Sequence, residues 1–307
     1  MKIFINKINE EWVVDNVITE WSKYQFQLTT LKQKEANIIW IIAPWTWKKL
    51  NIKNLKSKKV VCTIHHIDFE KFDSNAREDF YLRDYYVDCY HVVSNKTKEQ
   101  LLKLTSKKIY VIPFWVNQNI FFNISDKSYL RNKYKISNNS YLIGSFQRDT
   151  EGNDLKSPKL SKGPDVFLEK VIEISKTKNN VEVLLAGKRR NYIITKLKEN
   201  HIPFYYFEMV SYIELNELYN LLDLYIVASR VEGGPRALFE CAITNTPIIS
   251  TNVGFAESLL SPESIYEIDG KFNPKPNTGY SKKKVQRYEI PQGFDKFIEM
   301  FKEVYES

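Results

Sequence analysis

The sequence predicts an α/β protein made of two doubly wound parallel-sheet domains, and three observations point to this fold class. Its 307 residues are enough for about two domains of ordinary size. Short runs of apolar and β-branched residues alternate with helical patterns along the chain. Most of these runs are apolar at successive positions, which is typical of strands buried between two layers of helices. This strand–helix alternation favours parallel sheets.

The first series of elements begins with a predicted strand at residues 2–5 and a predicted helix at residues 10–22. Within this helix, Val13, Val17 and Trp21 are spaced four apart and therefore share one face. The other predicted elements of this series are strands at residues 39–43, 59–64, 90–94 and 108–112, and a helix at residues 95–104.

A polar, irregular segment follows, and the hinge is expected near residues 114–125. A second series beyond it predicts strands at residues 141–146, 181–186, 204–207, 223–228, 247–251 and 264–268, with helices at residues 164–177, 191–199, 214–221 and 235–244. We expect an N-terminal domain at residues 1–116 and a C-terminal domain at residues 117–280. They should face a cleft at the carboxyl ends of their strands. The tail at residues 281–307 is predicted to be an amphipathic helix that packs on its own domain or returns to the N-terminal one.

The ten glycines are unevenly distributed, since the first of them is Gly144. A Gly-rich dinucleotide motif or a P-loop is therefore excluded from the N-terminal part. A phosphate held by backbone amides is expected in the C-terminal part instead.

Cysteine usage and hydropathy indicate a cytoplasmic protein. Cys62, Cys89 and Cys241 lie far apart, and no two have the spacing of metal ligands, so reduced core thiols are expected. The N-terminal residues lack the apolar run of a secretory signal. No stretch approaches the roughly 20 apolar residues that span a bilayer.

The densest positive cluster lies at Lys48–Lys59, beside Trp45 and Trp47. It is either a solvated connector between two strands or a surface that meets anionic lipid at the inner face of the membrane. In the second interpretation the tryptophans lie at the lipid interface. No RNA- or DNA-binding motif accompanies the charge, so a nucleic-acid partner is not expected.

Two segments share an arrangement that suits a phosphate. SKGPD (161–165) and VEGGPRALFE (231–240) each place Gly–Pro at the start of a helix that follows a strand. Each also carries a cation at that helix end, Lys162 or Arg236, where the helix dipole favours anions. Arg148 follows the strand at 141–146 and could reach the same point as Lys162, as a bound pyrophosphate requires.

Each of these site residues also has an ordinary structural interpretation. Arg148 could instead pair with Asp149 or Glu151 on a loop. Glu232 and Glu240 are eight residues apart, and their carboxylates could accept hydrogen bonds from the paired hydroxyls of a ribose or hexose. The alternative for Glu240 is a surface acid on a helix, although its neighbours in the sequence are apolar.

Taken together, these segments resemble the donor-site signature of GT-B glycosyltransferases. The Glu–x7–Glu pattern in EGGPRALFE, preceded by SR and followed by PIISTNVG, is most similar to retaining family 4, the glycosyl transferases group 1. LIGSFQRD, KGPDVFLE, LLAGKRR and VIPFWVNQNIF also resemble segments of that family. The resemblance extends from about residue 108 to residue 260 and is thin before that.

The resemblance implies a role for each donor-site residue. Arg148 and Lys162 would neutralise the donor diphosphate, which stabilises the charge that builds on the leaving nucleotide. Glu240 would bind the ribose hydroxyls, and Glu232 would contact the donor sugar. The amides of the glycine pair after Glu232 would lie near the sugar or phosphate. The glycines within or beside these motifs are Gly144, Gly163, Gly233 and Gly234.

The N-terminal part resembles the family less closely. VVCTIHHID is similar to a strand that ends in a histidine near the donor sugar, which favours His65, with His66 as the second choice. A neutral imidazole there could form a hydrogen bond with the sugar or the reaction centre. Where the family has a Gly-rich turn after its first strand, this chain has NKINEEW, with Asn6 and Lys7. The loop DTEGNDLKSPKL, before Lys162, is longer than usual and could act as a lid.

The function that this resemblance implies is that of a retaining, metal-independent hexosyltransferase. It would move a sugar from a nucleotide-diphosphate donor to a saccharide or lipid-linked acceptor, in the synthesis of cell-surface polysaccharide or glycoconjugate. No cofactor is expected. The alternative is a catalytically degenerate nucleotide-sugar-binding protein on the same scaffold.

Overall fold

A computed structural model describes residues 1–7 and 13–307, which form two compact units. The N-terminal unit comprises Met1–Phe114 and Pro291–Ser307, and the C-terminal unit comprises Trp115–Ile290. The sequence analysis places this boundary slightly later, at 116/117. Each unit contains its own parallel sheet, so the prediction of two parallel-sheet α/β domains is confirmed.

The N-terminal unit is built on a five-stranded parallel sheet in the order β1–β2–β3–β4–β5. Its strands are β1 (Ile3–Ile5), β2 (Ile38–Ile41), β3 (Lys59–Ile64), β4 (Cys89–Val92) and β5 (Lys108–Val111). Its helices are α1 (Val13–Tyr24), α2 (Ile52–Ser57), α3 (Ser74–Asp84), α4 (Asn95–Leu101) and the C-terminal helix (Asp295–Glu306). The predicted start of the first helix, residues 10–12, lies outside the described residues.

Helix α1 packs on this sheet through the face that the four-residue spacing predicts. Val17 and Trp21 are buried, whereas Val13 at the helix start is exposed. The Trp21 ring meets Trp40 of β2 edge-on, with centroids 5.4 Å apart. Aromatic pairs in this geometry contribute energy beyond their buried area.

The C-terminal tail is not the single helix expected over residues 281–307. A helix at Thr278–Val285 belongs to the C-terminal unit, whereas the C-terminal helix belongs to the N-terminal unit. Pro291 stands between them, and its missing backbone N–H and fixed φ do not allow one continuous helix. The C-terminal helix buries Phe297 and Phe301 against the two tryptophans of α1 and β2.

The basic segment at Lys48–Lys59 joins β2 to β3. Trp47, which precedes it, is buried in the core, where its indole Nε1 donates to the Asp79 carboxylate at 3.1 Å. The expectation that Trp47 lies at a lipid interface is therefore wrong, because α3 covers its ring and satisfies its N–H. Lys48 also pairs with Asp79, at 2.7 Å, while Trp45 remains exposed. Within the described residues, no helix combines the length and apolarity needed to cross a bilayer.

A chain of buried hydrogen bonds crosses the N-terminal sheet. The Trp40 indole donates to the Thr63 hydroxyl at 2.8 Å, and this hydroxyl lies 3.0 Å from His91 Nδ1. His91 Nε2 lies 2.7 Å from the carbonyl oxygen of Ile112, so it is the nitrogen that carries the proton. Burial lowers the pKa of His91 to about 3 from its ordinary 6.5, and His91 is therefore neutral in the folded protein.

This neutral histidine should make the N-terminal unit sensitive to acid. Because the folded-state pKa lies below the unfolded-state value, the unfolded chain binds more protons, and stability falls as pH drops below 6.5. We expect His91 alone to cost about 2 kcal/mol of unfolding free energy between pH 7 and pH 5. Urea unfolding at several pH values measures this loss. His91→Gln should be less stable at pH 7 but lose less on acidification, and an unchanged slope would contradict this role.

The C-terminal unit is built on a six-stranded parallel sheet in the order β10–β9–β6–β11–β12–β13, with β7 and β8 paired as a short antiparallel hairpin. Its strands are β6 (Tyr141–Ser145), β7 (Thr150–Glu151), β8 (Ser157–Pro158), β9 (Val181–Ala186), β10 (Phe204–Phe207), β11 (Leu224–Val227), β12 (Ile248–Thr251) and β13 (Ile265–Tyr266). Its helices are α5 (Lys127–Lys133), α6 (Pro164–Ser175), α7 (Asn191–Glu199), α8 (Tyr212–Leu221), α9 (Arg236–Thr244), α10 (Ala256–Leu259) and α11 (Thr278–Val285).

The strand order of this sheet reverses between β6 and β11. From β6 the chain moves outward through β9 to β10, and then it returns to the opposite side of β6 with β11, β12 and β13. Ligands of doubly wound sheets bind at the carboxyl ends of the strands at such a switch point. The loops that follow β6 and β11 are therefore the expected location of a binding site.

Candidate functional site

One glutamine joins the loops at the switch point. Gln147 follows β6, and its Nε2 donates to the carbonyl oxygen of Lys162 at 2.9 Å. Its Oε1 accepts from the Ser229 hydroxyl, which follows β11, at 3.3 Å. Three loops that are distant in sequence are thus held together at one point. Gln147 was not a candidate in the sequence analysis, although its place directly before Arg148 was a usable signal.

The start of α6 requires a glycine. Gly163 has φ +61°, and a Cβ on it would lie 1.8 Å from the backbone oxygen of Ala228. Pro164 then opens the helix, as the Gly–Pro pattern predicts. The loop after β11 is also bound here, because the amides of Arg230 and Val231 both donate to the Ser161 carbonyl. The two Gly–Pro segments therefore lie against each other.

Lys162 and Glu232, which the sequence analysis assigns to separate parts of the donor, form an ion pair with each other. Both side chains are mostly buried, with 20% and 12% of their surface exposed. Each Gly–Pro segment contributes one of the two charges. Two residues that were predicted separately as donor ligands are therefore in direct contact where the two Gly–Pro segments meet.

Arg148 lies partly buried in the loop after β6, and its Nε donates to the carbonyl oxygen of Thr150 at 3.0 Å. Both Arg148 and Lys162 are close enough to Lys159 that their positive charges lower its pKa, after burial, which is the largest cause. The convergence of Arg148 and Lys162 on one bound pyrophosphate stays a prediction. Within the expected lid at residues 149–160, residues 150–158 form the β7–β8 hairpin.

Asp149, one of the alternative partners of Arg148, belongs to a different ion pair. Its carboxylate lies 2.6 Å from Arg190 Nε, and the two side chains are only 3% and 1% exposed. Arg190 also donates to the backbone oxygen of Gln147 and to the Ser145 hydroxyl. This buried arginine therefore fixes the backbone on which Arg148 is carried. Arg190 is the last residue of the LLAGKRR segment, and the sequence predicted no role for it.

Glu240 is buried on α9, which excludes the alternative of a surface acid. Its Oε2 accepts from the Tyr219 hydroxyl of α8 at 2.6 Å, and its Oε1 lies 3.8 Å from Arg236 Nε. Burial and then the charge of Glu240 raise the pKa of Tyr219 above its ordinary value, so the hydroxyl keeps its proton and donates. Arg236, expected to be an anion ligand, instead donates to the backbone oxygen of Trp115 at 2.6 Å.

The glycines named by the sequence analysis do different things. Gly233 and Gly234 lie in the loop before α9, and the loop after β12 packs against them at Gly254. A Cβ on Gly254 would lie 2.6 Å from the backbone oxygen of Gly233. Gly254 (φ +57°) is therefore required for the close approach of the β12 loop. Gly144 is buried in β6, and a Cβ there would lie 2.3 Å from a methyl group of Leu222. The absence of a side chain at Gly144 is therefore required for packing, and a contact of Gly144 with the donor stays a prediction.

In the N-terminal unit, His65 lies directly after β3. Its Nε2 lies 2.8 Å from the carbonyl oxygen of Ile42, and its ring stacks on Phe114 at 6.0 Å. Burial lowers the pKa of His65 to about 4, so the ring is neutral at pH 7. Because Nε2 faces a carbonyl oxygen, Nδ1 is the acceptor nitrogen. His66, the second choice, is exposed.

The turn that departs from the family pattern is only partly described. Asn6 is buried and acts structurally, since its Nδ2 donates to Thr46 and Ala43 and its Oδ1 accepts from the Ile42 amide. The rest of NKINEEW after Lys7 lies outside the described residues. No group of three metal-ligating side chains occurs in the part of the chain that the structure covers.

Comparison with known proteins connects this geometry to a family. Residues 156–267 match the model of the family described as Glycosyl transferases group 1. No curated protein sequence matches the chain. Among solved structures, HepE of Anabaena in complex with UDP has a TM-score of 0.71 and 14% identity, over 99% of this chain and 100% of that one.

Two further structures have the same architecture. A glycosyltransferase from Rickettsia africae has a TM-score of 0.60 and 19% identity, over 97% of this chain and 83% of its own. Sucrose-phosphate synthase from Thermosynechococcus elongatus has a TM-score of 0.60 and 15% identity, over 92% of this chain and 71% of its own. The predicted GT-B fold is confirmed, and the segment that matches the glycosyl transferases group 1 model lies in the C-terminal unit.

Proposed function

We propose that this protein is a retaining glycosyltransferase of family 4. It would transfer a hexosyl unit from a nucleotide-diphosphate sugar to a saccharide or lipid-linked acceptor, in the synthesis of cell-surface polysaccharide or glycoconjugate. The observation that carries the proposal is the Lys162–Glu232 ion pair, which lies in the loops at the switch point of the C-terminal sheet, where the loop after β6 carries Arg148. The family match of residues 156–267 includes both members of the pair.

The chemistry follows from where charge develops during transfer. As the bond between the sugar and the diphosphate breaks, negative charge grows on the leaving diphosphate. Arg148 and Lys162 are partly buried cations on positioned loops, and such groups stabilise developing charge more strongly than they do in water. We propose that these side chains, rather than a metal ion, neutralise the leaving group. Glu232 would then exchange its contact with Lys162 for a hydroxyl of the donor sugar.

The remaining carboxylate and the histidine have complementary roles in this proposal. Glu240 is held by the Tyr219 hydroxyl, which orients it to accept hydrogen bonds from the two ribose hydroxyls. His65 is neutral at pH 7 and presents Nδ1 as an acceptor for a hydroxyl of the donor sugar. Gly233 and Gly234 would bring backbone amides to the sugar or phosphate.

The experiment that tests this proposal is a panel of UDP-, GDP- and ADP-sugars, beginning with UDP-glucose, the ligand of another HepE structure. A donor at 100 times its Kd should add about 2.7 kcal/mol of stability in a thermal-shift assay. Donor hydrolysis and transfer to an acceptor panel then report activity, and NMR of the product reports the retained anomeric configuration. Binding without hydrolysis or transfer would favour the degenerate binding protein. Absence of binding across the panel would contradict both functions.

We also propose that the basic segment contacts an anionic membrane surface. Its exposed side chains include those of Lys49, Lys53, Lys56 and Ile52. Each lysine near such a surface contributes about 1 kcal/mol, and salt screens this attraction. Co-sedimentation with phosphatidylglycerol vesicles should therefore weaken at least about tenfold in Lys53→Glu/Lys56→Glu. Lys178→Glu, an exposed change in the C-terminal unit, is the matched control. Binding that is insensitive to salt and to the double change would overturn this proposal.

A further inference from the structure

Lys159 is tied by backbone hydrogen bonds to the two segments that carry the predicted phosphate-binding cations Arg148 and Lys162. It follows β8, and its amide donates to the backbone oxygen of Asp149, the residue after Arg148, at 2.7 Å. Its own carbonyl oxygen accepts from the Lys162 amide at 2.8 Å, which closes a single 3-10 turn over Leu160–Lys162. The β7–β8 hairpin thus holds Lys159 next to both loops of the candidate site.

The charge of Lys159 is not balanced within its surroundings. Its side chain is half-buried, and in the described part of the chain its ammonium has no hydrogen-bond acceptor and no carboxylate within 4.0 Å. Burial, then Lys162, then Arg148 lower its pKa, while Glu151 and Glu232 oppose this shift more weakly. Lys162, by contrast, has Glu232 as its counter-ion. A half-buried ammonium that has no acceptor, and on which two neighbouring positive charges act, is costly unless an anion binds there.

We propose that Lys159 is a third cation for the diphosphate of the donor, held in place by the β7–β8 hairpin. This inference rests on the proposed function, because the ligand it names is that donor. A diphosphate carries negative charge on the oxygens of two phosphoryl groups. Two cations leave some of these oxygens without a hydrogen-bond donor, so a third cation can also bind. Lys159 supplies a compact point charge, with three donors on a flexible stem, that can follow either group. The long loop before Lys162 thereby has a function as the carrier of a ligand-binding residue.

The test is isothermal titration with three probes on the full chain. The probes are the diphosphate that binds best among UDP, GDP and ADP, its nucleoside, and inorganic pyrophosphate. Lys159→Met keeps the apolar stem and removes the charge, and it should weaken diphosphate and pyrophosphate binding at least about tenfold. Nucleoside binding should not change, and Lys159→Arg should restore most of the affinity. Lys156→Met, an exposed change on the same hairpin, is the control.

The outcomes separate this inference from the proposed function. The expected pattern, with a Tm for Lys159→Met that is unchanged or higher than that of the wild type, supports a contact with phosphate, because a merely structural lysine would lower Tm and affect all three probes. Equal diphosphate affinity in the wild type and Lys159→Met overturns the inference and leaves the proposed function intact. Pyrophosphate binding that depends on Lys159, without any nucleotide binding or transfer, supports the anion site and overturns the donor function. Binding of none of the probes overturns both.

Discussion

Lys162→Met is expected to reduce kcat/KM for sugar transfer by about 10²–10³-fold, the effect of removing one preorganised electrostatic contact to a leaving group. The change has a second cost, because it leaves the mostly buried Glu232 carboxylate without its counter-ion, next to the proposed phosphate site. Steady-state kinetics with the donor found in the panel measure the loss. Lys176→Met, at the exposed end of α6, is the control. A change of less than a few fold would remove Lys162 from the mechanism.

Glu232→Gln separates the two functions of this pair. The amide no longer neutralises Lys162, so UDP or another bound diphosphate should bind at least as tightly as it does to the wild type. Transfer should nevertheless fall, because a neutral amide accepts hydrogen bonds from a sugar hydroxyl less strongly than a carboxylate does. Loss of diphosphate affinity in this variant would contradict the assignment and indicate that Glu232 serves only to position Lys162.

Arg190→Met is expected to destabilise the C-terminal unit by about 3–5 kcal/mol, because it leaves the Asp149 carboxylate buried without its partner. For a domain of this size, that corresponds to a fall in Tm of roughly 6–20 °C. Nucleotide binding should weaken as well, since Arg190 holds the backbone of Gln147 and the Ser145 hydroxyl. Urea unfolding and the thermal-shift assay measure these effects.

The pH dependence of this penalty identifies its cause. An unpaired buried carboxyl is relieved by taking up a proton, so the difference between Arg190→Met and the wild type should shrink as pH falls toward 5. Asp149→Asn/Arg190→Met, which removes both charges, should recover part of the lost stability at pH 7. A penalty that is independent of pH and unrelieved in the double variant would indicate lost packing rather than an uncompensated charge.

The sequence alone was sufficient for the elements that carry the site. The predicted strands at 181–186 and 204–207 coincide with β9 and β10. The Gly–Pro pattern marks the start of α6, where Gly163 has a positive φ and Pro164 is the first helical residue. These features could be predicted because they depend on the spacing of apolar residues and on the backbone preferences of Gly and Pro. Both are properties of residues that are close together in the sequence.

Charge partners could not be predicted in the same way. Sequence patterns predicted both Lys162 and Glu232 as site residues, but as separate ligands of the donor. In the structure the two side chains form an ion pair, although they are 70 positions apart in the sequence. The sequence also left Arg148 with Asp149 as a possible neighbour, whereas Asp149 pairs with Arg190. Any of the chain's many charged residues was a possible partner, and only the folded backbone brings one of them within 4 Å.

The amino-acid sequence by itself determined the two parallel-sheet units and the segments in which the proposed donor site lies. The tertiary structure decided that α9 buries Glu240 under Tyr219, and that the chain beyond Pro291 returns to the N-terminal unit. It also tied Lys159 by backbone hydrogen bonds to the segments that carry Arg148 and Lys162. The physical reason is the distance along the chain over which each effect acts. Periodicity and turn chemistry are local and can be read along the chain, whereas burial and pairing of a charge depend on loops that only the sheet order brings together.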